Sequence, residues 1–218
     1  PERILAAAKV GGGASQARYN HGFFDRRLDS NMALHDPAWF DAQYDNRARV
    51  PEASTVLLPR WAEASALSRA RMTCLLDQPY GSEPGETLDV FPAHASGAPV
   101  LVFMHGGWWR ALDKSDHSFV APAFVQAGAM VVVPNYALCP SVDIAQIALQ
   151  TSRALAWVWR NAARYGGNRK RIVVVGHSAG GHLAAMLLAC HWKTVGADLP
   201  ARLVHGALLG DCCPVLCS

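Results

Sequence analysis

The sequence predicts an α/β protein, with a mainly parallel sheet and helices packed on both of its faces. Strand-like and helix-like segments alternate along residues 71–210. Three of the strand-like segments contain continuous apolar runs, which are typical of strands buried on both faces: "VLVF" at 100–103, "MVVV" at 130–133 and "IVVV" at 172–175. Strands that alternate with helices form parallel sheets, because each helix returns the chain to the same end of the sheet.

The first part of the chain differs from this pattern. Residues 1–31 combine glycine and charge without a sustained hydrophobic period, so we expect a loose N-terminal extension ahead of a core domain at 32–218. Met32 is a candidate for the natural start of the protein. Asp36 is placed to cap a helix whose first position is Pro37.

The remaining elements are predicted in chain order. A helix is expected over 52–70, broken or kinked near Pro59. Strands are predicted at 71–77, 87–93, 99–105, 129–136, 171–177 and 201–210. Helices are predicted at 115–128, 141–167 and 179–191. The glycine pair Gly166 and Gly167 is expected to end the longest of these helices.

The composition excludes several classes of protein. Apolar residues make up 51% of the 218 residues and charged residues 17%, which suits one globular domain and argues against disorder. The net charge of +3 comes without a dense basic block, so no nucleic-acid partner is expected. No stretch approaches the ~20 apolar residues of a membrane span, and the N-terminus lacks a signal-peptide core, so we expect a soluble, cytoplasmic protein. The six cysteines contain no CxxC pair and are interpreted as reduced thiols.

A serine stands where the last long apolar run meets a helix-like segment. The sequence Gly176-His177-Ser178-Ala179-Gly180 matches G-x-S-x-G in the strand–turn–helix context that this motif requires. A sharp turn there would project the serine hydroxyl above the sheet, while the glycines let the strand and helix backbones pass closely. The backbone N–H of Ala179 and the helix dipole would favour developing negative charge. The alternative interpretation is a glycine-bounded turn with an incidental serine.

A second motif follows the run "VLVF". The sequence His105-Gly106-Gly107-Trp108 places small residues at a strand end, where backbone N–H groups can face a reacting centre. Glycines let a substrate carbonyl approach those groups without a side chain in the way. Donors aimed at the oxyanion of acyl transfer contribute about 2.7–4 kcal/mol each. A tight turn with packing tryptophans is the alternative, but two motifs in this order, each at a strand end, favour acyl transfer.

These motifs resemble those of the α/β-hydrolase superfamily, in the HGG-type branch of hormone-sensitive-lipase-like esterases and kynurenine formamidases (arylformamidases). "HGGWW" is similar to the formamidase form HGGxW, and "PNYALCP", "GHSAGGHLAA" and "PYGSEPGETLDVFPA" resemble segments of the same branch. The resemblance covers about 32–210 and implies that Ser178 is the nucleophile. It also implies that four residues lie on or beside the oxyanion hole: Gly106, Gly107, Trp108 and Ala179. No cofactor and no metal are expected.

Several neighbouring residues have both a structural and a functional interpretation. His182 lies one helical turn after Ser178, and His105 begins the HGG motif; we expect packing or bracing roles for both. Trp108 and Trp109 either line an aromatic substrate pocket, for which Trp109 is our candidate, or belong to the core. The three cysteines of the C-terminal tail lack the spacing of a metal site.

The residues after Ser178 depart from the superfamily pattern. In the superfamily the catalytic acid and then the histidine base follow the nucleophile along the chain. Here His191 is expected at a helix end, His205 inside a strand, and Asp211 after a strand of the wrong rank. We therefore expect the acid, the base and the last strands to be missing, as after a frameshift or truncation, and the chain to be a poor catalyst.

The sequence thus predicts a serine hydrolase acting on carboxylic esters or N-formyl amides. Two alternatives remain open. One is a broad carboxylesterase for short acyl chains, and the other is a non-catalytic hydrolase fold that binds a ligand or self-associates through an exposed sheet edge. The expected partner is a small-molecule substrate, without nucleic acid or membrane.

Overall fold

The computed structural model describes residues 36–44, 50 and 52–210. These residues divide into two compact units, with the boundary between Pro59 and Arg60. The predicted loose extension at 1–31 and the cysteine-rich tail at 211–218 lie outside the described residues.

The first unit contains helix α1, Pro37–Tyr44, and a π-helical segment, Ala53–Leu57. The carboxylate of Asp36 accepts a hydrogen bond of 2.8 Å from the backbone N–H of Trp39, so the predicted cap is confirmed. Helix α2 comprises Leu58–Arg71. The change of helix type therefore falls one residue before Pro59, where the sequence predicts a break, and a proline is tolerated in a first helical turn.

The second unit contains a six-stranded sheet. Its strands are β1 (Leu75–Pro79), β2 (Thr87–Phe91), β3 (Ala98–Met104), β4 (Met130–Pro134), β5 (Gly167–His177) and β6 (Gly206–Gly210). They lie in the order β1-β2-β4-β3-β5-β6. Strand β2 pairs antiparallel with β1 and β4, and the other pairings are parallel, so only β2 runs against the rest. The predicted mainly parallel sheet is confirmed.

Helices cover both faces of this sheet, as predicted. They are α3 (Ala121–Gln126), α4 (Ile144–Asn161), α5 (Ala179–Leu188) and α6 (Trp192–Val195). Successive side chains of a strand point to opposite faces. On β3, Val102 therefore packs in one apolar cluster with Leu155 of α4, while Phe103 packs in another with Val125 of α3. Two separate cores result, one on each side of the sheet.

The segment predicted as a helix at 115–128 is only partly α-helical. Two short 3-10 turns, Lys114–Asp116 and Ser118–Val120, precede α3. Asp113 caps the first turn, because its carboxylate accepts a hydrogen bond from the backbone N–H of Ser115 while the carboxylate of Asp116 accepts one from the N–H of Asp113. The first turn ends at His117, whose backbone leaves the helical conformation with φ −123 and ψ 7.

Two strand boundaries also differ from the prediction. Strand β5 begins at Gly167, not at residue 171, because Gly166 adopts φ +82 and reverses the chain after α4. Strand β6 begins at Gly206, not at residue 201, and the preceding residue, His205, already donates its backbone N–H to the carbonyl of Ile172. The short helix α6 was not predicted.

Strand β6 forms one edge of the sheet and, within the described residues, pairs only with β5. Its side chains Leu208 and Leu209 are 66% and 40% exposed. The strand carries no charged residue that would discourage pairing with another strand.

Candidate active site

Ser178 lies between the last residue of β5 and the first residue of α5, so the predicted strand–turn–helix arrangement is confirmed. Its backbone adopts φ +54 and ψ −119, a conformation that costs a residue other than glycine about 1–3 kcal/mol. The turn is held from both sides. The N–H of Ser178 donates to the carbonyl of Gly210 at 2.7 Å, and its carbonyl accepts from the N–H of Gly181 at 2.8 Å.

The glycines around Ser178 allow a close approach of three backbone segments. A Cβ added to Gly176 would lie 2.0 Å from the carbonyl oxygen of Gly180. A Cβ added to Gly180 would lie 2.1 Å from the carbonyl oxygen of Met104, at the end of β3. The first turn of α5 therefore packs directly on the backbones of β5 and β3, which only glycine permits.

Residues 105–109, here called the HGG loop, follow β3 and reach the same place. A Cβ built on Gly106 would lie 3.2 Å from the Cβ of Ser178 and 2.8 Å from the carbonyl oxygen of His177. At Gly107 the backbone has φ +108, and an added Cβ would lie 2.1 Å from the carbonyl oxygen of Ala111. The structure thus brings the two predicted motifs into contact.

The two tryptophans of the HGG loop have different environments, although both have positive φ, +54 for Trp108 and +56 for Trp109. The side chain of Trp108 is 53% exposed. The side chain of Trp109 is half-buried and packs against a small apolar cluster that includes Leu183. It also meets the ring of His182 edge-on, with the ring centroids 5.3 Å apart. Trp108 is therefore open to a ligand, whereas Trp109 takes part in the core, and His182 has the predicted packing contact.

His105 is fully buried and braces the loop, as expected. Its ring stacks on Tyr136, with centroids 4.2 Å apart and an interplanar angle of 7°. The Tyr136 hydroxyl donates to the main-chain carbonyl of His105 at 2.7 Å, and Nδ1–H of His105 donates to the carbonyl of Gly106 at 2.8 Å. Tyr136 follows β4, so the end of that strand holds the start of the HGG loop in place.

A second buried histidine, His117, continues this ring stack. Its ring lies 5.4 Å from that of His105, at 18°, and 5.9 Å from the ring of Trp61. Trp61 in turn contacts the ring of His177 at 6.1 Å. A continuous series of rings therefore connects the residue before Gly106 with the residue before Ser178.

The polar contacts that anchor the chain after the HGG loop were not predicted from the sequence. The Nζ of Lys114 is buried and lies 2.7 Å from carboxylate oxygens of both Asp77 and Asp89. The side-chain amide of Asn135 donates to the carboxylate of Asp113 at 2.7 Å and accepts from the backbone N–H of Lys114 at 3.2 Å. The Asp-x-x-Asp pattern at 113–116 is a sequence signal for a capped helical turn. No pattern in the sequence indicates that the lysine at 114 is buried.

Burial keeps both stacked histidines neutral. It lowers the pKa of His105 from 6.5 to about 4, against a smaller opposing effect of the hydrogen bond to the Gly106 carbonyl. Burial also lowers the pKa of His117. The Nε2 atoms of both rings have no hydrogen-bond partner within the described residues. A proton added there would be buried without an acceptor, which is why the charged form is disfavoured.

We expect the free energy of unfolding to fall as the pH drops from about 6.5 to about 4. The pKa of His105 is lower in the folded than in the unfolded chain. Its contribution to stability is therefore fully present above the unfolded pKa and is lost as the pH falls through the folded pKa. The shift corresponds to about 3 kcal/mol. Urea unfolding at a series of pH values measures it.

The variant His105→Gln removes this titrating group. It should reduce the acid-induced loss of unfolding free energy by about 3 kcal/mol. The matched control is His94→Gln, which makes the same change at an exposed position outside the ring stack. If the free energy of unfolding falls with pH equally in the wild type and in His105→Gln, the acid sensitivity arises from groups other than His105.

The other histidines after Ser178 occupy separate positions. His182 is on α5, and burial lowers its pKa. His191 lies just before α6 and is exposed, and His205 is exposed and lies before β6 rather than inside it. Since the last residue of β6, Gly210, pairs with His177 beside Ser178, His205 lies at the opposite end of that strand. Asp211 lies outside the described residues.

Two features are absent from the described part of the chain. No helix there combines the length and apolar character needed to cross a membrane. No group of three or more His, Cys, Asp or Glu side chains there is arranged to hold a metal ion.

Comparison with known proteins identifies relatives of this chain. The family model BD-FAE matches residues 88–195. Kynurenine formamidase from Danio rerio is 37% identical over 132 residues, which cover 59% of this chain and 44% of that protein. Carboxylesterase NlhH from Mycobacterium tuberculosis is 39% identical over 114 residues, which cover 52% of this chain and 36% of that protein. The chain therefore spans about half the length of these relatives or less.

A solved structure supports the same relationship. A protein from Silicibacter sp. TM1040, provisionally assigned as a thioesterase, superimposes with a TM-score of 0.61 at 36% sequence identity. The match covers 68% of this chain and 55% of that one. It agrees with the mainly parallel sheet described above. The chain has the fold of the α/β-hydrolases and is similar to their HGG-type esterases and formamidases.

Proposed function

We propose that this chain carries the nucleophile and the oxyanion-binding residues of a serine hydrolase that acts on carboxylic esters or N-formyl amides. The observation that carries the proposal is the contact between the two motifs, with a Gly106 Cβ position 3.2 Å from the Cβ of Ser178. A nucleophile and its oxyanion donors must share one reacting atom about 3 Å away, and the closeness of the two motifs supports this assignment. The formamidase and carboxylesterase relatives support this reaction class.

In this proposal the Ser178 hydroxyl attacks the substrate carbonyl carbon and loses its proton to a base. The negative charge that develops on the carbonyl oxygen is held by backbone N–H groups of Gly107 and Ala179, with Gly106 and Trp108 shaping the loop. The first N–H groups of a helix have no partner within the helix, so α5 offers donors and a favourable dipole at this point. Collapse of the intermediate releases the alcohol or amine, and water then releases the acid from Ser178.

The base remains to be identified. A serine hydroxyl is a weak nucleophile unless a positioned group takes its proton. We propose that the 218-residue chain is a weak catalyst, because neither His182, packed on Trp109, nor the exposed His191 and His205 has the support of a triad histidine. Strong turnover that is lost in Ser178→Ala and in one of the three histidine variants would contradict this and identify the base.

Formyl-aryl substrates are expected to be preferred over simple esters. The exposed Trp108, on the HGG loop that contacts the Ser178 turn through Gly106, offers an aromatic surface for a ring in the substrate, and the relative from Danio rerio is a kynurenine formamidase. The measurement compares kcat/KM for N-formylkynurenine and for short p-nitrophenyl esters, in a longer homologue that carries these same residues at 88–195.

Substituting Trp108 tests the reason for this preference. Trp108→Ala should reduce kcat/KM for N-formylkynurenine about tenfold more than for p-nitrophenyl acetate, since loss of one ring contact is worth roughly 1 kcal/mol or somewhat more. The exposed Trp39, from the other unit, provides a control as Trp39→Ala. A clear preference for simple esters would instead favour the short-chain carboxylesterase.

A non-catalytic protein that self-associates is the second candidate. The exposed Leu208 and Leu209 on the edge strand β6 favour it, because such an edge pairs readily with a second strand. Sedimentation at several protein concentrations would show a dimer that Leu208→Lys dissociates. A monomer at all concentrations would exclude this candidate.

A further inference from the structure

The end of the sheet opposite Ser178 contains a cavity of about 350 Å³. Strand β5 begins at this cavity and ends at His177. It pairs with β3 from Ala98, opposite Gly167, to Met104, opposite Gly176, and the six residue steps of β3 place these two ends roughly 20 Å apart. The lining residues come from the turn before β3, the end of α4 and the start of β5: Ser96, Gly97, Arg160, Ala163, Gly167, Asn168, Arg169 and Lys170. The cavity is therefore separate from the proposed active site.

The lining is cationic and contains no acidic residue. The surrounding sequence is biased in the same way. Residues 144–197 contain seven lysine or arginine residues and no aspartate or glutamate. Asp198 pairs with Arg160, with two hydrogen bonds of 2.9 Å, and offsets one of the three lining charges. The remaining charge of about +2 on the cavity lining matches the charge of a dianion.

Three of the polar side chains of the cavity, those of Arg160, Asn168 and Arg169, are held by contacts within the protein. The Cζ of Arg169 lies 4.5 Å from the centre of the Trp159 ring, in a cation–π contact. Arg160 uses two of its five N–H donors on Asp198 and keeps three for another acceptor. The side-chain oxygen of Asn168 accepts the backbone N–H of Lys170 at 2.9 Å, which orients the amide. Groups fixed in this way lose little conformational entropy when a ligand binds.

We propose that this cavity binds the phosphate group of a small phosphorylated molecule. Arg160, Arg169 and Lys170 supply charge and N–H donors, and Ser96 and Asn168 supply neutral donors. The cavity is larger than a phosphate ion needs, which leaves room for the organic part of the ligand. An added Cβ at Gly97 would meet nothing within 4 Å, so the wall at this point is open to an occupant.

The test is calorimetric titration of the whole chain with pyrophosphate at constant ionic strength. We expect saturable binding to one site, weakened about tenfold by Lys170→Gln and by Arg169→Gln. The matched control is Arg171→Gln, since Arg171 is the next residue on β5, is exposed and does not line the cavity. This control should change the affinity less than twofold. All three side chains are exposed, and circular dichroism of each variant checks that it folds.

Three results would overturn the proposal. Pyrophosphate could fail to bind, or Arg171→Gln could weaken binding as much as Lys170→Gln, which would show only a diffuse positive field. A single-stranded oligonucleotide or vesicles of anionic lipid could bind more tightly than pyrophosphate through the same residues, which would make an extended polyanion the ligand. Ser178→Ala should bind pyrophosphate like the wild type, so this result is independent of the hydrolase proposal.

Discussion

Replacing Ser178 with alanine is expected to abolish covalent labelling by a fluorophosphonate. The probe reacts with an activated hydroxyl held beside oxyanion donors, and Ser178 is the serine that lies against Gly106. In the intact chain the adduct should appear on the peptide that contains Ser178, identified by its mass. Hydrolysis of p-nitrophenyl acetate is expected to be weak already in the wild-type chain, and Ser178→Ala should lower it further, toward the residual ~10³–10⁴ over water that triad-deleted enzymes retain.

The exposed Ser82 provides a matched control, because Ser82→Ala removes a hydroxyl without touching either motif. This variant should be labelled like the wild type. Labelling that persists in Ser178→Ala, or that maps to another serine, would remove Ser178 from the proposed mechanism. Absence of labelling in the folded wild type would favour the non-catalytic candidate.

Replacing Gly180 with alanine is expected to destabilise the protein by about 3 kcal/mol or more. The added Cβ would lie 2.1 Å from the carbonyl oxygen of Met104 and 2.6 Å from that of His105. Both neighbours are backbone atoms at the end of β3, so no side-chain rotation relieves the overlap and α5 must move away from the sheet. Urea unfolding measures the loss of stability, and labelling of Ser178 should decrease with it because the turn moves with the helix.

Gly206→Ala is the control for this substitution. Gly206 lies on β6, and its added Cβ would meet only a methyl group of Val173 at 3.9 Å, an ordinary contact. The stability should therefore change by less than about 1 kcal/mol. Equal effects of the two substitutions would show that the close approach of α5 to β3 is not what requires glycine at position 180.

Much of the sheet could be predicted from the sequence because its central strands are buried on both faces. The runs that became β3, β4 and β5 contain almost only apolar residues, and their short length and many valines favour a buried strand over a buried helix. The reversed direction of β2 was not predicted. The short connection at 80–86 was the available signal, since a parallel crossover needs a dozen residues or more.

The site was predictable where its chemistry depends on backbone geometry. Ser178 and Gly106 belong to short motifs whose glycines allow backbone segments to pack closely. The structure brings the two motifs together. The supporting residues were less predictable. His117 and Trp61 contribute through rings that meet only in the folded chain, and Lys114 is buried only because Asp77 and Asp89 surround it. Such contacts join segments that are far apart in the sequence, so no local sequence pattern predicts them.

The positive φ angles at Ser178 and Trp108 have a consequence for directed evolution. Both residues occupy backbone conformations that glycine adopts without strain, and Trp108 gains little from burial. A library selected only for survival of heating should therefore become enriched in Ser178→Gly and Trp108→Gly. Ser178→Gly removes the proposed nucleophile, and Trp108→Gly removes the aromatic surface of the HGG loop. Thermostable clones from such a screen would be inactive for a conformational reason, and a useful screen must select for turnover at the same time.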